Sequence, residues 1–363
     1  MPYTRFQQPV LHWAAKTIWR TPGCFGIAHL LGPSYSLRCV VFHNISTSQN
    51  PFTAGMNVST TPRKFEAALE FLTTYYTPVC LDDVLATLEG QALPPRAVLV
   101  TFDDAYASVV ELAAPLCRKF GVPAIFFVNA AFLDNKRLAP DNLVCYVANM
   151  NGMETINAAA RSVRGTESPE LRSLSDVFTS FLPSLTLAER DAFLESLRHS
   201  GGVGESRLAK EAGLYLTTGQ LRSLGSFNFE IGNHTYTHVH CRSLSQEDFR
   251  QEVDRNKEEL EDLSGRKVRS FSQPYGSSKD LTPKLACHLR QSGHVAAFLS
   301  ESATNPRGAD PFHLDRVNSR VDSDDSFFLE IEVLPRLRTV RNQLFRNSRN
   351  PLERNGSPQR DAN

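Results

Sequence analysis

Two continuous apolar runs separated by a helical pattern constrain the fold of this chain more than any other feature. Ala97–Phe102 has the sequence AVLVTF and Ala124–Val128 has the sequence AIFFV, which is the composition of strands buried on both faces. Between them, apolar residues recur at helical spacing from Val109 to Phe120, and Gly121 is placed to end the helix. A strand, a helix and a second buried strand in this order predict a parallel sheet covered by helices.

The same alternation recurs along most of the chain. Further strands are predicted at residues 38–45, 230–232, 269–272, 294–299 and 313–317. Further helices are predicted at residues 61–76, 82–89, 245–263, 282–291 and 327–345. The number of repeats predicts that the sheet closes into a barrel. Between about residues 131 and 215 the alternation stops, and a mostly polar, helical pattern predicts an insertion on one loop of the barrel.

The two ends of the chain differ from the predicted barrel domain at residues 36–345. Residues 1–35 are expected to form a helical extension, in which both tryptophans of the chain accompany Lys16 and Arg20. That helix either packs on the domain or makes peripheral contact with a membrane surface. Because this segment has neither a secretory signal nor a membrane-spanning run, a cytoplasmic location is expected, with membrane association as the alternative. Residues 346–363 are almost without apolar side chains and are expected to be disordered.

Composition narrows the function before any motif is considered. The 363 residues include 39 Lys and Arg and 39 Asp and Glu, so the basic excess of a nucleic-acid-binding protein is absent. The seven cysteines are scattered and form no C-x-x-C pair, which favours reduced thiols over disulfides or a zinc ribbon. Nothing in the composition predicts an oligomeric state.

Two short motifs follow predicted strands and carry groups that bind metals. Asp103 and Asp104 end the motif TFDD after a buried strand, where parallel α/β proteins carry their active sites. His234 and His238 belong to NHTYTH, a spacing at which two imidazoles reach one metal ion if the segment turns helically. Taken separately, the aspartates are also explained as a helix cap and the histidines as surface residues.

The two motifs together predict a metal-dependent hydrolase. One carboxylate and two imidazoles form an open ligand set that suits Zn²⁺, Fe²⁺, Co²⁺ or Ni²⁺. The second carboxylate of the pair is then available as a general base. Since such a metal activates water and polarises a carbonyl, this combination has the groups needed to hydrolyse an amide.

A third motif, Pro274-Tyr275-Gly276, follows the next predicted strand. Proline and glycine favour a turn there, and a backbone N–H presented by such a turn can stabilise an oxyanion. In this order, TFDD, NHTxxH and PYG resemble the polysaccharide deacetylase family, carbohydrate esterase family 4, whose catalytic unit is the NodB homology domain. The resemblance extends from about residue 36 to about residue 319 and is interrupted by the insertion.

This resemblance implies a fold, an activity and a set of residue roles. The implied fold is a distorted (β/α)₇ barrel, and the implied activity is removal of acetyl groups from N-acetylated sugars. By position, the implied roles are general base for Asp103, metal ligands for Asp104, His234 and His238, and oxyanion binding by the backbone N–H of Tyr275, which follows Pro274. The implied cofactor is a divalent metal, with Zn²⁺ expected and Co²⁺, Ni²⁺ or Fe²⁺ as alternatives.

The sequence also departs from the family pattern. Ala105 stands where the family has glycine, which tolerates positive φ better than alanine does. Ser272 stands where many members have the arginine that orients the base, and the Asp-Trp and Leu-x-His motifs near the C-terminus are absent. Phe42-His43-Asn44 resembles the start of the biofilm poly-N-acetylglucosamine deacetylases, which implies that His43 is the general acid. One alternative is that His43 only packs or hydrogen-bonds at the barrel rim. Another is that His313 is the acid, although it begins the last strand and is therefore expected at the opposite end of the barrel.

The sequence therefore predicts a metal-dependent hydrolase of non-peptide C–N bonds in linear amides. Its expected substrate is an N-acetylated saccharide, either a polysaccharide, an oligosaccharide or a lipid-linked glycan. One alternative is a deacylase that acts on another acyl ester or amide. A second alternative, from a different class, is a saccharide-binding protein that has lost turnover.

Overall fold

The structure is a computed structural model that describes residues 36–47, 50–87, 91–202, 204–225, 227, 229–318, 324–336 and 338. The predicted N-terminal extension at residues 1–35 and the predicted tail at residues 346–363 lie outside the described residues. Among the residues that are described, no helix is long and apolar enough to cross a bilayer.

Nearly all strands belong to one parallel sheet. The strands are β1 Arg38–Phe42, β2 Asn44–Ile45, β3 Ser59–Thr60, β4 Thr77–Pro78, β5 Ala97–Phe102, β6 Ala124–Val128, β7 Phe229–Asn233, β8 Ser270–Ser272, β9 Ala296–Leu299, β10 Leu314–Asp315 and β11 Val317–Asn318. Their order in the sheet is β10-β9-β8-β7-β6-β5-β1-β11, with β4 paired to the start of β5 and with β2 and β3 forming a separate pair.

One short segment of chain joins the two ends of this sheet. β10 pairs with β9, whereas β11 pairs with β1, and only Arg316 lies between β10 and β11. The sheet is therefore nearly closed, and the predicted distorted (β/α)₇ barrel is confirmed. The strand predicted at residues 313–317 exists, but it is interrupted at Arg316, where the chain changes partner.

Helices connect the strands and surround the barrel. They are α1 Pro62–Tyr75, α2 Leu81–Ala86, α3 Ala114–Phe120, α4 Pro140–Asn151, α5 Met153–Arg164, α6 Leu174–Asp176, α7 Leu187–Ser200, α8 Glu205–Ala212, α9 Thr218–Ser223, α10 Gln246–Phe249, α11 Arg255–Ser264, α12 Pro283–Gln291 and α13 Asp324–Phe328. Wider π-helical turns adjoin some of these helices, at Val109–Ala113, Val177–Phe181, Arg250–Asp254 and Leu329–Val333. Short 3₁₀ turns occur at Ala130–Asn135, Gly165–Glu167, Leu182–Ser184, Cys241–Ser243 and Pro274–Gly276.

Helix ends follow from local chemistry. Thr61, Ser245 and Thr282 each accept a hydrogen bond from a backbone N–H of the helix that they precede. α3 ends at Gly121 with φ +67°, as the sequence predicts. The helical elements from Ala130–Asn135 to Thr218–Ser223 lie between β6 and β7, where the sequence places the insertion.

β5 and β6 consist almost entirely of apolar residues because both of their faces are buried. In β5, Val98, Val100 and Phe102 pack under the surrounding helices, whereas Ala97 and Leu99 belong to a second cluster. This second cluster also contains residues of β1, β6, β9 and β10, so it fills the interior of the barrel. Packing there is tight, since a Cβ on Gly232 would lie 2.3 Å from the Phe127 ring.

Candidate active site and metal centre

The predicted site residues converge at the carboxyl ends of neighbouring strands. His43 follows β1, Asp103 and Asp104 follow β5, His234 follows β7, and Tyr275 follows β8. In a parallel barrel all of these strand ends lie on the same face, so residues far apart in the sequence come together. The first predicted strand ends at Phe42 and not at Ile45, which leaves His43 outside the sheet at this face.

Asp104, His234 and His238 form a compact cluster of metal-binding groups. One ligand atom from each residue lies within 4.8 Å of the other two. Asp104 Oδ1 is 3.3 Å from His234 Nε2 and 3.4 Å from His238 Nε2. Burial raises the pKa of Asp104, but the hydrogen bond with His234 and the charges of nearby histidines outweigh it, so the pKa is well below its ordinary value. The carboxylate is therefore charged and able to bind a cation.

Contacts on the far side of each imidazole leave its Nε2 atom available. His234 Nδ1 donates a hydrogen bond to the Ser272 carbonyl at 2.8 Å. His238 Nδ1 lies 2.7 Å from Asp141 Oδ2. Histidine ligands of metals are typically oriented in this way by a carbonyl or a carboxylate. This donor set, with one carboxylate and two oriented imidazoles, fits a divalent metal such as Zn²⁺.

Asp103 is paired with an arginine that lies far away in the sequence, and its Oδ2 is 3.8 Å from His234 Nε2. Arg316 is fully buried, and its Nη1 and Nη2 atoms donate to Asp103 Oδ1 and Oδ2, each at 2.7 Å. Burial raises the pKa of Asp103, but the Arg316 guanidinium outweighs that effect and holds the pKa below its ordinary value. Asp103 is thus a buried anion with a fixed orientation.

Arg316 is the arginine partner of Asp103, although the family pattern has that arginine at position 272. Ser272 occupies the position at which many family members have an arginine, and its Oγ accepts from Arg316 Nη2 at 2.8 Å. Arg316 Nε donates to Leu299 O at 3.0 Å. Nη1 also donates to Thr101 Oγ1 at 3.2 Å, and Nη2 also donates to Ser300 Oγ at 3.2 Å. Although residue 272 is a serine, Asp103 therefore still has an arginine partner, and this arginine comes from the segment that closes the barrel.

The two candidate general acids lie in different places. His43 is half-buried and lines a cavity of about 320 Å³ together with Asp103 and Asp104. Burial lowers the pKa of His43, and the two carboxylates partly oppose that effect. His313 is exposed, and the adjacent Leu314 lines a separate cavity beside the start of β1. The structure thus brings His43, and not His313, next to the metal-binding cluster.

The cavity around the cluster also has walls that the motifs do not contain. One wall is the loop at residues 55–58, and another is formed by residues 175, 178 and 179 of the insertion. These two walls meet, since a Cβ on Gly55 would lie 2.8 Å from Leu174 Cδ1. The insertion therefore contributes directly to the shape of the site.

Several non-glycine residues of the site have positive φ. The values are +71° for Asp104, +56° for Ala105, +62° for Thr235, +54° for His238 and +60° for Tyr275. This conformation costs an L-residue about 1–2 kcal/mol. It also accounts for glycine at this position in the family pattern, because Ala105 has to adopt a φ that glycine tolerates better. Strain of this kind persists only where the surrounding structure enforces it.

Buried amide side chains hold the histidine loop in that conformation. Asn129 Nδ2 donates to the carbonyls of His234 and Thr235, the latter at 2.8 Å. Asn256 Nδ2 donates to Asn233 Oδ1 at 2.7 Å, and the same oxygen accepts from Thr235 N at 3.0 Å. These asparagines, together with Arg316 and Asp141, were missed by motif reasoning. For Asn129 and Arg316 the available signal was a polar side chain beside an apolar strand, which is costly unless it is hydrogen-bonded.

A family model resembles one segment of the chain that contributes to this site. A sequence model of the family described as polysaccharide deacetylase matches residues 202–292, a segment that contains His234, His238 and Tyr275. No curated protein matches the chain.

Solved structures resemble the chain over a much longer region. The deacetylase PplD of Streptococcus pyogenes, in complex with acetate, is 12% identical with a TM-score of 0.54, and the match covers 82% of this chain and 98% of PplD. IcaB from Ammonifex degensii is 18% identical with a TM-score of 0.50, covering 82% and 97%. A de-N-acetylase from Aggregatibacter actinomycetemcomitans is 15% identical with a TM-score of 0.51, covering 79% and 96%. At these identities the structural matches establish the fold alone.

The fold and the site together define a deacetylase-like barrel. The resemblance to polysaccharide deacetylases, predicted from the three motifs, is confirmed by the family match and by the shared fold.

Proposed function

We propose that this protein is a metal-dependent hydrolase that removes N-acetyl groups from an N-acetylated saccharide. The observation that supports it most is the separation of the two adjacent aspartates. Asp104 lies with His234 and His238 in a metal-binding cluster, whereas Asp103 is paired with Arg316 and lines the same cavity. A metal site with a separate, oriented base is the arrangement that amide hydrolysis needs.

Asp104 Oδ1, His234 Nε2 and His238 Nε2 are the atoms that would hold the metal. A divalent metal bound there would lower the pKa of a water molecule and polarise the acetamide carbonyl. Zn²⁺ suits the mixed oxygen and nitrogen donors, and Co²⁺, Ni²⁺ and Fe²⁺ suit them as well.

The other residues have roles that follow from their surroundings. Asp103 accepts the proton of the attacking water, and the pair with Arg316 keeps it ionised and oriented for that step. The backbone N–H of Tyr275, in the turn that begins with Pro274, donates to the oxyanion. His43 in its protonated form donates a proton to the departing sugar nitrogen, so the amine leaves uncharged, and the acetic acid that forms loses its remaining proton to become acetate.

The buried Asp103–Arg316 pair also separates this proposal from a saccharide-binding role. A binding protein needs no buried base, and a buried ion pair carries a large desolvation cost. A deacylase for another ester or amide would use the same groups, so only the substrate distinguishes that alternative.

The test is acetate release from N-acetylglucosamine oligomers by the metal-loaded protein, with Asp103→Asn as the control. We expect release by the wild-type protein and none by the variant. Release from O-acetyl esters or non-sugar amides alone would contradict the proposed substrate. Saccharide binding without release from any of these compounds would favour the binding protein.

A further inference from the structure

We infer that Asp141, from the insertion, is a positioning residue that makes the insertion an integral part of the metal centre. Its carboxylate orients His238 for the metal and at the same time fixes the side chain of Tyr275. This inference rests on the proposed metal centre, but it does not depend on the identity of the substrate.

Asp141 is a buried carboxylate with a separate partner for each oxygen. Only 5% of the residue is exposed, so its charge needs partners within the protein. Oδ2 lies 2.7 Å from His238 Nδ1, and Oδ1 accepts a hydrogen bond from the Tyr275 hydroxyl at 2.9 Å. One carboxylate therefore connects the histidine motif with the turn that follows the next strand.

The contact with His238 determines which nitrogen faces the metal site. Because Nδ1 lies beside the Asp141 carboxylate, a proton on Nδ1 is favoured, and the lone pair of Nε2 is then left for the metal, beside Asp104 Oδ1 at 3.4 Å. His238 has positive φ, so its backbone does not reach this orientation by default. A carboxylate behind the ring also makes the imidazole a stronger ligand.

The contact with Tyr275 fixes the turn that presents the oxyanion N–H. Tyr275 has φ +60°, and its ring stacks on His240 at 3.7 Å between ring centroids. Burial and the Asp141 carboxylate raise the pKa of Tyr275 well above its ordinary value, so the hydroxyl remains a donor to Asp141. The ring is thus held both at its face and at its tip.

Hydrogen bonds of the neighbouring residue Asn142 hold the segment that carries Asp141 in place. Asp141 lies in the first turn of α4, directly after Pro140 and before the fully buried Asn142. Asn142 Nδ2 donates to Phe52 O at 3.0 Å and to the Tyr106 hydroxyl at 2.9 Å, and its Oδ1 accepts from the Tyr215 hydroxyl at 2.6 Å. These bonds tie the start of α4 to the barrel at the point where Asp141 reaches the site.

The first experiment measures metal affinity instead of activity. Zn²⁺ is titrated into the wild-type protein and into Asp141→Asn, in competition with a chelator. We expect Asp141→Asn to bind Zn²⁺ about 10–100-fold more weakly than the wild type, because its amide no longer supplies the charge behind His238. Unchanged affinity in the folded variant would overturn the inference.

Two control variants separate orientation of His238 from general effects on the insertion. Asp134→Asn removes another carboxylate of the insertion, which caps a helix through Thr218 and does not line the cavity. Tyr275→Phe removes only the hydroxyl contact of Asp141. Both should bind Zn²⁺ within about twofold of the wild type, and a loss in Asp134→Asn equal to that in Asp141→Asn would contradict a specific role for Asp141.

A measurement on the wild-type protein keeps the inference testable if Asp141→Asn does not fold. Long-range ¹H–¹⁵N NMR of the Zn²⁺-loaded protein reports which imidazole nitrogen carries the proton. We expect His238 to be protonated at Nδ1 and ligated through Nε2, and ligation through Nδ1 would overturn the inference. If the wild type bound Zn²⁺ in this way but released no acetate, the proposed substrate would fail and the role of Asp141 would stand.

Discussion

Arg316 and Asp103 form a bidentate ion pair, with both N–O distances at 2.7 Å, although 213 positions separate them in the chain. The pair links the segment that closes the barrel to the end of β5. Closing the barrel brings the fully buried Arg316 guanidinium beside the Asp103 carboxylate. The charge state of the proposed base therefore depends on barrel closure.

Removal of the Arg316 charge should change the pH dependence of activity. Asp103 acts as a base only when it is deprotonated, and Arg316 opposes the effect of burial on its pKa. In Arg316→Gln that opposition is lost, so the pKa rises and the acidic limb of the kcat/KM profile should move to higher pH by about one unit or more. Profiles of the wild type, Arg316→Gln and the charge-conserving Arg316→Lys provide the measurement.

The lysine variant is the matched control for that experiment. Its acidic limb should lie between those of the wild type and Arg316→Gln, since lysine keeps the charge but not the bidentate geometry. Loss of a partner from a buried ion pair costs about 3–5 kcal/mol of stability, so folding must be checked for each variant. An acidic limb that stays in place in folded Arg316→Gln would contradict the proposed role of the pair.

Ala105→Gly should stabilise the protein. Ala105 is buried with φ +56°, and glycine adopts this conformation without the steric cost that alanine incurs. Glycine also has a larger conformational entropy than alanine in the unfolded chain, which offsets part of the relief of strain. We therefore expect the free energy of unfolding to rise by about 1 kcal/mol. Chemical denaturation measures it, and Ala107→Gly, at a nearby buried helical position, should change stability in the opposite direction. Equal losses in the two variants would show that the positive φ of Ala105 is not strained.

His43 and His313 are distinguished by comparing matched glutamine variants. His43→Gln should lower kcat by about 10²–10⁴-fold, because the departing amine loses its proton donor, while bound metal stays at the wild-type level. His313→Gln should leave kcat unchanged, since His313 is exposed and does not line the cavity. Acetate-release kinetics and metal analysis of both variants provide the test, and a large loss in His313→Gln would reverse the assignment.

The motifs could be located from the sequence because each one follows a predicted strand, and the strand before the aspartate motif is almost entirely apolar. The strands at Ala97–Phe102 and Ala124–Val128 and the helix end at Gly121 were predicted with their observed limits. Arg316 was not identified, because its partner is set by closure of the barrel and no local pattern indicates which distant strand will lie beside it. Asp141 was missed for a different reason. An aspartate in the first turn of a helix is ordinarily explained by the helix dipole, so its role became visible only with the fold.

The measurement that tests the account most directly compares bound metal and acetate release in Asp103→Asn and Asp104→Asn. Asp104 is placed among the ligands, and Asp103 is paired with Arg316 as the base. Asp103→Asn should therefore keep metal at the wild-type stoichiometry and lose turnover, whereas Asp104→Asn should lose both. Loss of metal from Asp103→Asn, or turnover in that variant at the wild-type rate, would contradict the division of roles between the two aspartates.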